Sequence, residues 1–564
     1  MNPKRIVIVG GVAGGMSCAA RARRLSESSS IVVLERGPHP SFANCGLPYH
    51  MGGEIADRAK LIVQTPESLH RSLNLDVRPL NEVVSIDPVA KTVSVRRLSD
   101  GSVYTEPYDT LVLSTGAAPI RPAIPGIDRP GVFTLRSIPD MDAILRWIEE
   151  RKAKRVVVGG GGYIGLEVAE QLRHRGLEVA LVQDSQQIMM PLDPELASLL
   201  AGELRDHGVA LYMGEGVAGF EDVQAGEEGV LAVVTKSGRR LPADLVVLGL
   251  GVRPDIAIAK AIGLEIGERG GLRVDAHMRT SDPNIYAVGD AVEVTDRVLG
   301  GRAVIPLAGP ANRQGRIAAD NIFGIPATYK GTQGTAVLRL FNLVAACTGA
   351  NEKGLRREGR SYQVVSLHPG SHAGYFPGAH PIAMKLIFDP ESGKVLGAQA
   401  VGRDGADKRI DVIATAIAGG MTVDDLAELE LCYAPPFGSA KDPVNMAGMI
   451  AQNVRAGLVR TIHPGEVQQA LAEGATLLDV REPNEQAKGT IPGARLIPLG
   501  QLRSRLSEIP KDRPLIVYCQ SGQRSYYAAR LFAQHGYDVR NLSGAYKTWQ
   551  QAEAANSKQI GAQK

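Results

Sequence analysis

Two cysteines stand where sulfur chemistry is possible. Cys45 lies in "SFANCGLPYH", residues 41–50, and Cys519 in "VYCQSGQRS", residues 517–525. Neither has another cysteine two to five residues away, so neither can close a disulfide inside its own loop. A lone cysteine can still cycle through a mixed disulfide, a persulfide or a sulfenic acid. The thiolate is the working form and needs neighbours that stabilise it. For Cys45 the opening of a following helix could supply that. Cys519 ends an apolar strand, and "QSGQRS" is expected to curl into a helix N-terminus. Successive N–H groups of such a loop point at the sulfur, and Arg524 adds a positive charge. Four residues separate Cys519 from Arg524, too few for a phosphatase-type loop and suited to sulfur.

Electrons for such a sulfur have to come from a carrier, and glycines mark where one would sit. "RIVIVGGVAGGMSCAARARRL" reads as a buried strand, a glycine turn with Gly10 and Gly15, and a helix. "SSIVVLER" follows as a second strand ending in Glu35, 20 residues after Gly15. This is the layout of a dinucleotide-binding unit: a pyrophosphate sits on the helix N-terminus and the acid accepts from a ribose. Its middle glycine position is Val12, a departure from the full pattern. The layout recurs complete in "AKRVVVGGGGYIGLEVAEQLRHRGLEVALVQD", with Gly160, Gly162 and Gly165 in the turn and Gln183 at the acid position. "QDSQQIMMPLD" offers no Arg or Lys for a 2′-phosphate, which favours NADH, with NADPH possible.

Composition excludes other classes. The chain has 564 residues, 44% hydrophobic and 22% charged, with net charge +3, so neither a nucleic-acid nor a membrane partner is expected. No apolar run approaches the roughly 20 residues that span a bilayer. Five cysteines in so long a chain form no disulfide framework and point to a reducing compartment. The N-terminus enters a strand at once, leaving no room for a signal peptide, and a cytoplasmic location is expected. Cys18 and Cys347 read as packing residues, Cys432 reads as packing or, next to Tyr433, as lying near the site, and no metal site is expected.

Two further stretches, "YDTLVLSTGAAP" and "TSDPNIYAVGDAV", complete an ordered set of four with the glycine turns. Through about residue 455 the chain resembles the pyridine nucleotide-disulfide oxidoreductase family. The resemblance implies FAD on Gly10, Gly15, Glu35, Arg36, Thr115, Gly116, Asp290 and Ala308. It implies NAD on Gly160, Gly162, Gly165, Gln183 and Gly251. It also implies a homodimer. Where some members carry a second cysteine five residues on, this chain has His50. "SFANCGLPY", "SHAGYFPGAHP" and "LCYAPPFGSAKDP" resemble the coenzyme A disulfide reductases within the family. That resemblance implies that Tyr375 and Tyr433 reach the sulfur from the partner subunit. It places coenzyme A on Arg21, Arg24, Ser41, Asn44, Arg71 and Lys441; Arg21 and Arg24, at i and i+3, share one helix face. Peroxide-reducing relatives carry a histidine in the first glycine turn, where this chain has Ala13.

From about residue 457 the pattern resets. "LLDVRE", the Cys-x-x-Gly-x-Arg loop and "LSGAYKTW" resemble a single-domain rhodanese, with Asp479 and Arg481 expected to hold the loop. The expected fold class is α/β: two Rossmann-like dinucleotide-binding domains, an α+β dimerisation domain and a C-terminal α/β rhodanese domain. The boundaries are 1–112 and 243–325 for the FAD domain, 113–242 for the NAD domain, 326–455 for dimerisation and 456–564 for the rhodanese. The expected function is NADH-dependent reduction, through Cys45, of persulfides, polysulfides and coenzyme A disulfide or persulfide. Cys519 would deliver sulfane sulfur. The alternative is a coenzyme A disulfide reductase for thiol homeostasis with an independent rhodanese; NADH oxidase or peroxidase chemistry is disfavoured.

Overall fold

A computed structural model describes residues 3–556. It divides into two units. One runs from the N-terminal strand through Ser185 and resumes over Gly208–Gly334; the other takes Gln186–His207 and the chain from Thr335 on.

The first unit holds two five-stranded parallel sheets. One is ordered Ile285–Ala287, Thr110–Leu113, Arg5–Val9, Ser30–Glu35, Asp76–Pro79. The other is ordered Ala210–Met213, Glu178–Gln183, Arg155–Gly159, Leu245–Leu248, Val132–Thr134. The central strands RIVIV, SIVVLE and RVVVG are buried along almost their whole length. That is the signature of parallel strands covered on both faces, and it explains their run of branched residues. The expected boundary at 243 comes too early: Leu245–Leu248 pairs with Arg155–Gly159, and the chain regains the first sheet only at Ile285–Ala287. The helix Pro194–Asp206, inside the expected NAD span, belongs with the second unit.

The second unit contains an antiparallel sheet ordered Ala336–Leu340, Leu343–Gly349, Val395–Gly402, Ile382–Phe388, Gln363–Leu367. Ala406–Gly419 and Pro443–Arg455 share its core. A parallel sheet follows, ordered Arg460–Ile462, Val539–Leu542, Leu515–Tyr518, Thr476–Asp479, Arg495–Leu496. Polar contacts join the two: the Ser366 N–H donates to Ser543 Oγ at 3.1 Å, and His368 Nε2 meets Thr548 Oγ1 at 2.8 Å. Burial holds His368 neutral, its pKa pushed down to about 3.

One charge cluster carries much of the second unit. The Lys385 ammonium is 2% exposed and contacts Asp193 at 2.9 Å, Glu195 at 2.5 Å and Glu352. Burial disfavours its charge, but the carboxylates outweigh burial and hold it well above its ordinary value. Burial likewise opposes ionisation of Glu352, and Lys385 outweighs it. Lys385 therefore contributes fully below its unfolded value of about 10.4, and Glu352 above its unfolded value of about 4.3. Lys385→Met should cost about 3–5 kcal/mol by stranding the buried Asp193 and the half-buried Glu195 and Glu352. Chemical denaturation across pH should show the variant recovering stability on acidification, where the wild type loses it.

Candidate functional site

The two glycine turns are built alike. Gly10 has φ +103° and Gly160 φ +99°, left-handed backbone that favours glycine. A Cβ on Gly15 would collide with the Gly10 carbonyl, and one on Gly165 with the Gly160 carbonyl. These contacts press each helix, Ala13–Leu25 and Tyr163–His174, against the end of its strand. Neither helix has a side-chain cap at its N-terminus, so the first N–H groups remain available to a pyrophosphate. A Cβ on Gly162 would meet nothing within 4 Å, leaving open space above the second turn. Both turns thus fit a dinucleotide.

The residues at the acid positions do more than expected. Glu35 accepts from the Gly11 and Gly37 N–H groups, each at 2.7 Å. Gln183 Oε1 accepts from the Gly161 N–H at 2.6 Å, and its Nε2 donates to Ser185 Oγ at 2.7 Å. Each brackets its own glycine turn while keeping acceptor capacity for a ribose. Lys236 meets Asp184 at 2.6 Å, a cation beside the second turn that its own strand did not reveal. Gly251, at φ +100°, accepts from the Ile120 N–H at 2.9 Å. Thr115 Oγ1 donates to the Asp255 carbonyl, whose own N–H bonds Gly116; Asp255 also pairs with Arg36 at 3.2 Å. Ala308 is the first residue of the helix Ala308–Ile322.

The Cys45 loop hangs on the first turn. Ser41, at φ +49°, donates its N–H to the Gly11 carbonyl at 2.8 Å and accepts from Val63 N–H at 3.0 Å. Cys45 is exposed in the short 3-10 turn Asn44–Gly46, just ahead of the helix Leu47–Met51. Asn44 Nδ2 donates to the Arg136 carbonyl at 3.1 Å, and the Arg136 guanidinium pairs with Asp290 at 3.2 Å. Tyr49 donates to Glu167 at 3.2 Å from the neighbouring helix. Arg136 and Glu167 escaped sequence reasoning because they lie on distant elements with no local signature. Desolvation by surrounding protein raises the Cys45 thiol above its ordinary value, Glu167 and Asp290 add to that, and Arg136 opposes it.

The residues proposed for coenzyme A are spread over both units. Arg24 is exposed, whereas Arg21 is half-buried and spends its Nε on Asp320 at 2.6 Å. Between them Arg23 is buried and donates to the carbonyls of Ser26, Glu27, Ser29, Leu73 and Asn74, a purely structural use. Arg71 and Lys441 are exposed. In the second unit Tyr375 and Tyr433 are both exposed and joined hydroxyl to hydroxyl at 2.9 Å. Cys18 and Cys347 are buried as expected, and burial pushes the Cys18 thiol up to about 12. Cys432 is exposed, which corrects its reading as a packing residue.

Cys519 follows the buried strand Leu515–Tyr518 and precedes the helix Gln523–Gln534. Its Sγ accepts from the Gly522 N–H at 3.1 Å and the Ser525 hydroxyl at 3.5 Å. Gly522 has φ +110°, which turns its N–H toward the sulfur. Asp479 and Arg481 are buried and paired at 2.7 Å; Arg481 reaches Gln520 Oε1 at 3.0 Å and stacks 4.2 Å from the Tyr546 ring centre. They hold the loop as expected. Arg524 bears on the Cys519 sulfur and, beyond what was expected, donates from both terminal nitrogens to Glu485 at 2.6 Å. Its charge is therefore compensated, and the acid responsible sits 39 residues upstream, out of reach of motif reading.

Comparisons with known proteins agree with this geometry. Residues 4–315 match the family model described as pyridine nucleotide-disulphide oxidoreductase, residues 336–443 its dimerisation domain and residues 463–552 a rhodanese-like domain. The chain is 35% identical over 449 residues to a coenzyme A disulfide reductase of Staphylococcus epidermidis, covering 79% of this chain and 100% of that one. It is similar to the reduced Bacillus anthracis CoADR-RHD structure, with TM-score 0.95, 48% identity and 98% of each chain covered. It is also similar to an NAD-dependent persulfide reductase from A. fulgidus, with TM-score 0.90, 38% identity, and 97% and 100% covered. No helix among the described residues is long and apolar enough to cross a membrane.

Charge around Cys45 should tune its reactivity. Glu167→Gln should shift the pH profile of Cys45 alkylation down, and Arg136→Gln should shift it up. Alkylation by iodoacetamide, followed site by site with mass spectrometry, measures both.

Proposed function

The chain belongs to the pyridine nucleotide-disulphide oxidoreductases, and from that premise we propose an NADH-dependent reductase of persulfides and of coenzyme A disulfide or persulfide, fused to a sulfurtransferase. The observation that carries this reading is the Cys45 loop, anchored to the first glycine turn by the bond from Ser41 N–H to the Gly11 carbonyl. With no second cysteine in that loop, the sulfur it works on arrives from outside. Polysulfides are further candidate substrates.

Gly10, Gly15, Glu35, Arg36, Thr115, Gly116, Asp290 and Ala308 would hold FAD. Gly160, Gly162, Gly165, Gln183 and Gly251 would hold NADH. Bound FAD supplies the passage of two electrons from NADH to sulfur. Cys45 as thiolate attacks one sulfur of a disulfide, the S–S bond breaks, and one thiolate leaves with a mixed disulfide left on Cys45. Two electrons then return Cys45 to thiolate and release the second thiolate. With a persulfide the attack falls on the outer sulfur; an organic thiol leaves, and the Cys45 persulfide yields hydrosulfide on reduction. Arg24, with Ser41, Asn44, Arg71 and Lys441, would orient coenzyme A, and Arg21 would stiffen the helix that carries Arg24. In a homodimer, Tyr375 and Tyr433 of one subunit would donate to the sulfur of the other. Cys519, in its N–H and hydroxyl cradle, would take sulfane sulfur from a donor. A cytoplasmic setting would keep both thiols reduced.

Cys45→Ser should abolish NADH oxidation driven by persulfide or coenzyme A disulfide, at least about 10³-fold, with FAD still bound. Full retained activity would sink the proposal. Cys519→Ser should slow only sulfane substrates; no effect there would leave a plain disulfide reductase beside an independent rhodanese.

A further inference from the structure

Two of the cations around the Cys519 loop are each paired with an acid. Arg481 is taken by Asp479, and both terminal nitrogens of Arg524 by Glu485. Glu485 is not a loose counter-ion. Its Oε2 also accepts from the Glu482 N–H at 3.1 Å, closing a capping box on the short helix Pro483–Gln486. Arg524 donating to it holds its carboxylate down at about 2, so the acid stays ionised at any working pH. Lys547, next in sequence to Tyr546, gives its backbone N–H to Gln520, while its charge bears on His368. The Gly522 N–H and the Ser525 hydroxyl that hold the sulfur are neutral, and the one cation that reaches it is Arg524, whose charge Glu485 offsets.

We propose that Glu485 sets the donor specificity of the Cys519 site by cancelling its one loop cation, so that the site takes sulfane sulfur from organic persulfides and rejects thiosulfate. This rests on the sulfurtransferase reading above. The chemistry distinguishes the donors by charge. In both cases the Cys519 thiolate attacks the outer sulfur, the S–S bond breaks, and a Cys519 persulfide forms with no net oxidation. From a persulfide the leaving group is an organic thiolate. From thiosulfate it is sulfite, and the dianion has to be brought against a thiolate. A free guanidinium would offset that repulsion through a paired, charge-assisted contact. With the Arg524 charge offset by Glu485, the cradle can stabilise the single charge of a persulfide and little more.

The test is sulfur transfer to cyanide by the full-length holoenzyme, with glutathione persulfide or thiosulfate as donor. Wild type should show a kcat/KM at least tenfold higher with the persulfide. Glu485→Gln keeps the side chain's size and removes its charge. It should raise kcat/KM for thiosulfate about tenfold or more, mainly through KM, and narrow the preference. Glu485→Asp retains the charge and should keep the wild-type preference. Equal use of both donors by wild type overturns the inference alone, and that measurement needs no variant to fold. An unchanged ratio in a folded Glu485→Gln protein, or the same change in Glu485→Asp, also overturns it. Transfer from neither donor overturns both the inference and the sulfurtransferase reading.

Discussion

Main-chain N–H groups left unpaired where a buried parallel strand turns into a helix are the constraint on which this molecule depends. A parallel sheet covered on both faces aims the C-terminal ends of its strands at the N-terminal ends of its helices. The helix start brings donors that no intrahelical carbonyl satisfies. The chain uses this junction three times, at Gly10–Gly15, at Gly160–Gly165 and at Cys519–Gly522. In the first two, glycine carbonyls and helices meet so closely that a Cβ is excluded, and the donors stay open to a pyrophosphate. In the third, the loop closes on its own sulfur through the Gly522 N–H. One geometric solution thus serves two kinds of anion, a phosphate that binds and a thiolate that reacts.

The surroundings of the two sulfurs differ in how charge is spent. Cys45 is exposed and faces two carboxylates, Glu167 and Asp290, against one guanidinium, Arg136. Cys519 is buried, 1% exposed, with the Gly522 N–H, the Ser525 hydroxyl and an Arg524 offset by Glu485 around it. An exposed thiol held above its ordinary value resists idle oxidation and gains reactivity when a ligand shifts the local balance. A buried thiol with fixed donors is shaped before any ligand arrives. The first suits a site completed by its cofactor, the second a site complete in its own chain.

What was legible in the sequence follows from range. The glycine turns, the strands around them and the Cys519 loop are short-range patterns in which each residue's role is fixed by neighbours within one element, so motif and periodicity expose them. Arg136, Glu167, Lys236 and Glu485 are contributed by distant elements, and nothing local marks them. Arg21 shows a contact that spacing does not carry. Its spacing from Arg24 is a correct statement about one helix, but Asp320 on a second helix claims its guanidinium. The expected boundary at 243 failed for the same reason, since the strand Leu245–Leu248 looks alike whichever parallel sheet it joins. Sequence periodicity records that a strand is buried on both faces, not which neighbour buries it.

The position that would complete a dithiol at Cys45 is structurally spoken for. His50 lies in the last turn of the helix Leu47–Met51, and its Nδ1 meets the Ile55 carbonyl at 2.6 Å, tying the helix to the turn beyond it. A Cβ on Gly46 would press on Leu61, so the backbone beside the sulfur is also packed tight. The loop has therefore been built around one thiol, with its other positions given to anchoring. A disulfide at this sulfur needs a second sulfur, and the fold leaves it to be brought by a small molecule. A mobile thiol as reaction partner is thus a consequence of the local packing.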